Sequence, residues 1–349
     1  MRKNRRIKVT ESSAEFIRKE QIFASTEGTR IRSCRVISGA GISCKAFGPR
    51  EIQRRSYPSA SKNYASAGYE FIQSLGLREN AERIRDEALR LLESPPCPAR
   101  TFDLILKDSI LALQIHETIG HAAELDRAYG HEDSFGGRTF LLPEKLDTLR
   151  IGSAAVTLIA NRPEDKSGAG FVAYDDEGCP ARETPVILNG IFRGCLSNRE
   201  TALKAGLKQI GGSAIAEDWA SLPLVRMTTL SLLAGKTPFR KLIERTKEGL
   251  LLDSEASWSV DEQREDFQIG AEIAWHIKNG KIIGAFKNPL YRAKSGPFWR
   301  KCAAVAEKKD GALFSFSDCG KGGPLQNAFV SHGSSPALFR GITCYPASR

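Results

Sequence analysis

HETIGHAAELD (116–126) sets two imidazoles on either side of a carboxylate, on a stretch whose flanks predict a helix. Only five histidines occur in 349 residues, and His116 and His121 are two of them. Neutral imidazoles bind a divalent ion, usually zinc, and leave a position open for water. An adjacent carboxylate, here Glu117, can take a proton from that water. The spacing is demanding. Histidines at i and i+4 lie about 40° apart around an α-helix, whereas i and i+5 lie about 140° apart. A π-bulge, at roughly 82° per residue, reduces that separation to about 50°. Gly120 tolerates distortion and close approach of another segment, so the spacing predicts a π-bulge or a break near it. Packing alone is a poor account of the cluster, because a buried, ionised, unpaired Glu is costly.

Working outward, the helix is predicted over about 110–128, capped by Asp108 or Ser109 and stopped near Gly130. Ile110, Leu111, Leu113 and Ile115 make its start apolar nearly all round, which predicts burial. TFDLILK (101–107) reads as a strand and SPPCPAR (94–100) as a linker. ENAERIRDEALRLLE (79–93) is an amphipathic helix with Ala81, Ile84, Ala88, Leu91 and Leu92 on one face. Residues 1–60 read as short polar strands and turns. Downstream, VILNGIFRG (186–194) and WHIKNGKIIGAF (275–286) each carry Asn-Gly between apolar runs. That pattern predicts hairpins with type I′ turns, which need two residues at positive φ. A further helix is expected at about 237–249. The fold class is therefore α+β: a small N-terminal α/β segment, then a larger, mainly antiparallel β domain carrying a buried metal-binding helix. The expected units are 1–98 and 101–349.

The residues alone leave the third metal ligand open. Glu124 and Asp126 lie on the same helix, His131 lies just past it, and Cys319 sits in SDCGKGGP (317–324), read as a flexible glycine-rich turn. A thiolate there could close the site. Other candidates carry less. Three consecutive acids, Asp175, Asp176 and Glu177, cannot easily converge on one cation. CGKGG lacks P-loop spacing, no Ser sits in a GxSxG elbow, and His276 and His332 are isolated and read as core or surface histidines. Arg226 could grip a substrate carboxylate or serve a structural pair.

Composition bounds the rest. Hydrophobic residues make up 41% and charged residues 26%, as in ordinary globular proteins. The net charge is +10, and residues 1–100 hold 20 Lys+Arg against 11 Asp+Glu, an excess of nine. A basic half can mark a nucleic-acid partner, but no reader motif accompanies it, so none is expected. No stretch approaches the ~18 apolar residues of a membrane span. The basic start MRKNRRIKV is not followed by an apolar signal core. Eight dispersed cysteines without a CxxC pair suit a reducing compartment, so the expectation is a cytoplasmic protein with no membrane partner.

The sequence resembles the TldD/PmbA proteases. HETIGHAAELD (116–126) is similar to the TldD signature HExxxH with its small-x-Glu-x-Asp tail. DDEGCPARETPVILNGIFRGCLSNRETA (175–202), LVRMTT (224–229) and SDCGKGGPLQ (317–326) resemble three further family segments, in the same order. The resemblance implies a zinc peptidase that cleaves extended or unfolded peptides. It implies one Zn2+ per chain on His116, His121 and Cys319, Glu117 as general base, and Glu124 orienting a ligand ring. It also implies a paralogous PmbA-type subunit, or further copies of the chain, as partner. Having the motif makes the chain TldD-like. Thr229 stands where the family usually has Asn, Pro324 and Leu325 interrupt the last segment, and the match begins well inside the first subdomain, as in a member shortened at the N-terminus. That shortening suggests an alternative: a catalytically impaired, zinc-stabilised regulatory or binding subunit.

Overall fold

The structure, a computed structural model, describes residue 1, residues 4–134 and residues 136–347; Arg2 and Lys3 of the basic start lie outside the described residues. The first 57 residues form longer elements than their polar composition predicts. β1 (Ile7–Ala24) and β2 (Arg30–Phe47) are 18-residue strands joined in one antiparallel hairpin, with β3 (Ile52–Tyr57) and β4 (Asn63–Ala65) also paired to β2. Their length was hidden because only Ile7 is buried along β1, and β2 is buried only from Ile37 onward. The outer arms alternate exposed with half-buried residues only, a pattern too shallow to mark how far the strands run.

A short helix α1 (Tyr69–Ser74) leads into α2 (Leu77–Glu93), where the expected amphipathic helix lies. Ile84, Ala88 and Leu91 are its buried apolar residues, and Ile84 and Ala88 pack with Ile7, Ile42, Cys44 and Ala46 of the first sheet. Arg55 on β3 ties this layer to the next. Its guanidinium donates to Glu87 of α2 (2.9 Å), and to Asp253 and Glu272 (3.0 Å each) on two strands of the larger sheet.

The larger part is mainly antiparallel. β5 (Arg100–Leu106) pairs with strands far along the chain. In order come β6 (Leu158–Ala160), β7 (Thr184–Leu188), β8 (Ile191–Phe192), β9 (Ala214–Ile215), β10 (Leu224–Val225), β11 (Leu230–Leu232), β12 (Glu248–Val260), β13 (Asp266–Lys278), β14 (Lys281–Phe286), β15 (Pro289–Lys294), β16 (Cys302–Val305), β17 (Ala312–Lys321), β18 (Gln326–Ser334) and β19 (Ala337–Pro346). The pairings β12-β5-β19-β15-β13 return to β12, so five strands close a ring with β14 and β16 attached; only β5–β12 is parallel. β17 and β18 form a separate hairpin. Both predicted Asn-Gly turns are present, at Asn189-Gly190 (φ 50° and 82°) and Asn279-Gly280 (φ 48° and 74°). The helix expected at 237–249 is confined to Phe239–Glu244, because Glu248 already enters β12, where tertiary pairing overrides local propensity.

Candidate metal centre

α3 (Asp108–Ile115) leaves β5 and is buried from Ser109 onward, as its apolar start predicts. Neither expected cap operates: Lys107 holds the cap position without a side-chain bond, and Asp108 has φ 52°. The helix widens into a π-turn over His116–Gly120, tightens to a 3-10 turn over His121–Ala123, and breaks at Glu124 before α4 (Leu125–Ala128). The distortion falls where the five-residue spacing demands it. It brings the two imidazole centroids to 4.6 Å. Gly120 has a second reason to be glycine, since a Cβ there would lie 2.3 Å from the sulfur of Met227.

Cys319 arrives from the opposite side. It lies in strand β17, paired with Ala328 just after a shift in register between Phe316 and Cys319, and the glycine-rich turn begins only at Gly322. Its Sγ is 3.7 Å from His121 Nε2. One ligand atom each from His116, His121 and Cys319 lie within 4.8 Å of one another, and all three residues are buried. Asp126 and His131 do not join them. Asp126 instead accepts from Lys321 Nζ (2.8 Å).

The second ring nitrogens are occupied. His332 on β18 has Nδ1 3.0 Å from the Leu230 carbonyl oxygen, and its Nε2 lies 2.9 Å from His116 Nδ1. Donation from His332 Nδ1 to the carbonyl leaves Nε2 as acceptor for the His116 Nδ1–H, which frees the His116 Nε2 lone pair. His121 Nδ1 lies 3.1 Å from Glu124 Oε2, which frees its Nε2 in the same way. Burial, and then the neighbouring imidazoles, hold His116 well below the usual histidine range; burial brings His121 down to about 3 against the pull of Glu124. Both rings are therefore neutral near pH 7, as metal ligands must be. Burial pushes the Cys319 thiol up to about 11, so a cation arriving there displaces its proton. Two imidazoles and a thiol with ordered outer partners form a donor set suited to zinc.

Glu124 is the anchor of this layer. It accepts from Arg127 Nε (2.9 Å), Lys321 Nζ (3.1 Å) and the Met227 backbone N–H (3.3 Å), and these cations hold its carboxyl well below the usual range despite full burial. Arg226 is buried and donates to the carbonyls of Cys319 and Gln326, so its observed contacts fix the backbone behind the thiol. Glu117 accepts from Arg264 Nη1 (3.2 Å) in the β12–β13 turn; burial raises its pKa while Arg264 opposes. A cavity of about 220 Å³ joins these groups, lined among others by Glu117, Glu255, Trp258, Arg264 and Asp318.

His332, Lys321, Arg264 and Glu255 were missed from sequence. The scarcity of histidine was the one usable signal for His332, and a lysine between glycines the one for Lys321. Asp175 is buried and accepts from the backbone N–H groups of Cys179 (2.8 Å), Glu177 and Ala214 (3.1 Å each), a turn-closing role.

Residues 99–343 match the family model described as the PmbA/TldA metallopeptidase C-terminal domain. The chain belongs to the TldD/PmbA family. A TldD/PmbA relative called a metalloprotease in Methanocaldococcus jannaschii is 32% identical over 87% of this chain and 63% of its own length. Another metalloprotease, from Methanothermobacter thermautotrophicus, is 33% identical over 64% of this chain and 46% of its own length. The chain thus spans between about half and two thirds of those relatives. Among solved structures, a protein described as a modulator of a DNA gyrase from Thermotoga maritima superposes with TM-score 0.78 at 17% identity, covering 99% of this chain and 71% of that one. TldE from Thermococcus kodakarensis gives 0.71 at 15% identity, covering 95% and 68%. These two likenesses establish the TldD/PmbA fold. Among the described residues, no helix is long and apolar enough to cross a membrane.

Proposed function

We propose that this chain is a zinc-dependent peptidase acting on extended or unfolded peptides, with His116, His121 and Cys319 as ligands and Glu117 as general base. The observation that carries the reading is the convergence of three ligand atoms within 4.8 Å, with the other nitrogen of each imidazole already engaged. A zinc ion bound there would supply Lewis acidity and lower the pKa of a water. Glu117 would take that water's proton and later release it to the leaving amine. Its burial favours the protonated carboxyl, which suits a proton acceptor, and Arg264 keeps the ionised form accessible. Glu124 and His332 would hold the ligand rings, and Arg226 would hold the Cys319 backbone.

One hydrophobic cluster draws on residues 1–92 and the largest on 97–344, which supports reading 1–98 and 101–349 as two units, the second carrying the chemistry, packed on each other where Leu91 meets Ile273 and where Ile37 and Tyr64 meet Ala169. Relatives called TldD homologues, and the likeness to TldE, support a paralogous subunit or further copies of the chain as partner.

The test is metal content and peptidase activity of the full chain, wild type beside Cys319→Ala and Glu117→Gln. Cys319→Ala should lose bound zinc. Glu117→Gln should keep zinc and lose cleavage of an unfolded peptide. Cleavage surviving in Glu117→Gln would sink the mechanism. Zinc retained by a wild type that cleaves nothing would move the chain to a binding or regulatory role.

A further inference from the structure

Glu255 is 1% exposed, and neither of its carboxyl oxygens makes a well-formed hydrogen bond; Ser109 and the Ala60 backbone are weak neighbours only. Other buried carboxylates around it are satisfied. Glu87, Asp253 and Glu272 share Arg55, Glu124 has Arg127 and Lys321, and Glu117 has Arg264. A buried, unpartnered carboxyl costs stability, and fully packed native interiors rarely keep one without a use. The backbone is irregular at the same place. Ser254 has φ 52°, and the register of β12 against β13 shifts between Glu255 and Ser257. Strain and an orphaned acid at one point mark a functional position.

Glu255 lines the cavity that also holds His116, Glu117, His121 and Cys319. Three carboxyl side chains line that cavity, Glu117, Glu255 and Asp318, against one guanidinium, Arg264, which is already bonded to Glu117. Trp258 and Phe316 add aromatic surface. Acidic and aromatic walls together suit a cation. The volume, about 220 Å³, admits a side chain or a chain end and little more. Burial pushes the Glu255 carboxyl up to about 7, against a weaker pull from Ser109, so an arriving cation restores its charge.

We propose that Glu255 receives an ammonium group of the substrate inside this cavity and so selects peptides that present one beside the scissile bond. The ammonium is either a free chain terminus or a lysine side chain. The inference rests on the peptidase reading of the same site.

The test uses the full, zinc-loaded chain and one short peptide in four forms: free or acetylated at the N-terminus, each with an internal lysine or norleucine. Wild type should favour ammonium-bearing forms by about tenfold or more in kcat/KM, the scale of a charge-assisted contact. Loss of preference on acetylation identifies the terminus; loss on norleucine identifies the lysine. In Glu255→Gln and Glu255→Met the preference should fall toward unity. Wild type treating all four alike, or a preference surviving in both variants, overturns the proposal. Should wild type cleave none of them, the peptidase reading fails, and calorimetric Kd values for the four peptides decide this inference alone by the same pattern. Both variants should melt no lower than wild type, since an unpaired buried carboxyl is removed. A clear fall in Tm for both would show a structural carboxyl and overturn the proposal.

Discussion

His116 Nδ1 lies 2.9 Å from His332 Nε2, although 216 residues separate them in sequence. The contact fixes which nitrogen of His116 faces Cys319, and it does so from β18, the strand that also pairs with Cys319 through Ala328. His332→Ala should therefore weaken zinc retention without removing a ligand. Loss of an outer partner of this kind costs about 10–100-fold in metal affinity. Competition against a chelator measures it, and equal affinities would show that the β18 histidine only fills space.

Gly120→Ala should damage the same site from inside the helix. The added Cβ meets Met227 Sδ at 2.3 Å, and the Met227 backbone N–H is one of the donors to Glu124. Overpacking of this kind costs about 1–3 kcal/mol. The movement that relieves it would displace Glu124 and, through it, His121. The expected result is a lower Tm together with reduced zinc occupancy; a Tm loss with full occupancy would show that the strain dissipates away from Glu124.

What the sequence disclosed follows from how local each constraint is. The π-turn was legible because a five-residue histidine step on a buried helix has few solutions, and the two Asn-Gly hairpins because their φ requirements are local. The length of β1 and β2 was not legible, because along the outer arm exposed residues alternate with half-buried ones and not with a buried core face. Cys319 was misplaced into a turn because its glycines were read locally, whereas pairing with Ala328 makes the stretch a strand. His332, Lys321 and Glu255 depend on strands meeting across most of the chain, and nothing near them in sequence declares the meeting.

Arg55→Met should be among the most destabilising single changes. Arg55 is 1% exposed and contacts Glu87, Asp253 and Glu272, so it joins β3 and α2 to β12 and β13. Glu272 keeps Ser56 as a partner and Glu87 keeps Arg83, but Asp253 loses its guanidinium. Removing one member of a buried ion network costs about 3–5 kcal/mol. Denaturant unfolding measures this, and a loss under about 1 kcal/mol would mean that water enters to replace the guanidinium.

Three buried histidines should cost the metal-free protein stability as pH falls below the ordinary histidine value of 6.5. Burial holds His116 well below it, His121 at about 3 and His332 at about 4. In the unfolded chain all three bind protons near 6.5, and in the folded chain they stay neutral until those lower values. The unfolded state therefore holds more protons, and each histidine contributes a slope of about 1.4 kcal/mol per pH unit. Burial also raises the carboxyls Glu117, Glu255 (to about 7), Glu272, Asp165 and Asp175, and these run the other way, because the folded state keeps their protons to higher pH than the unfolded chain does. They offset part of the histidine slope, which is therefore read from the difference between wild type and His332→Ala. Below their ordinary values of 4.5 for Glu and 3.8 for Asp these carboxyls become protonated in both states and their offset fades. The depressed carboxyls Glu124 and Asp253 then add to the loss as they protonate, so the decline should steepen. Urea unfolding with a chelator present, repeated from pH 7 to 4, gives the slope. His332→Ala should reduce the proton uptake on unfolding by about one, and coincident slopes for wild type and variant would mean that the His332 ring is hydrated and titrates normally in the folded protein.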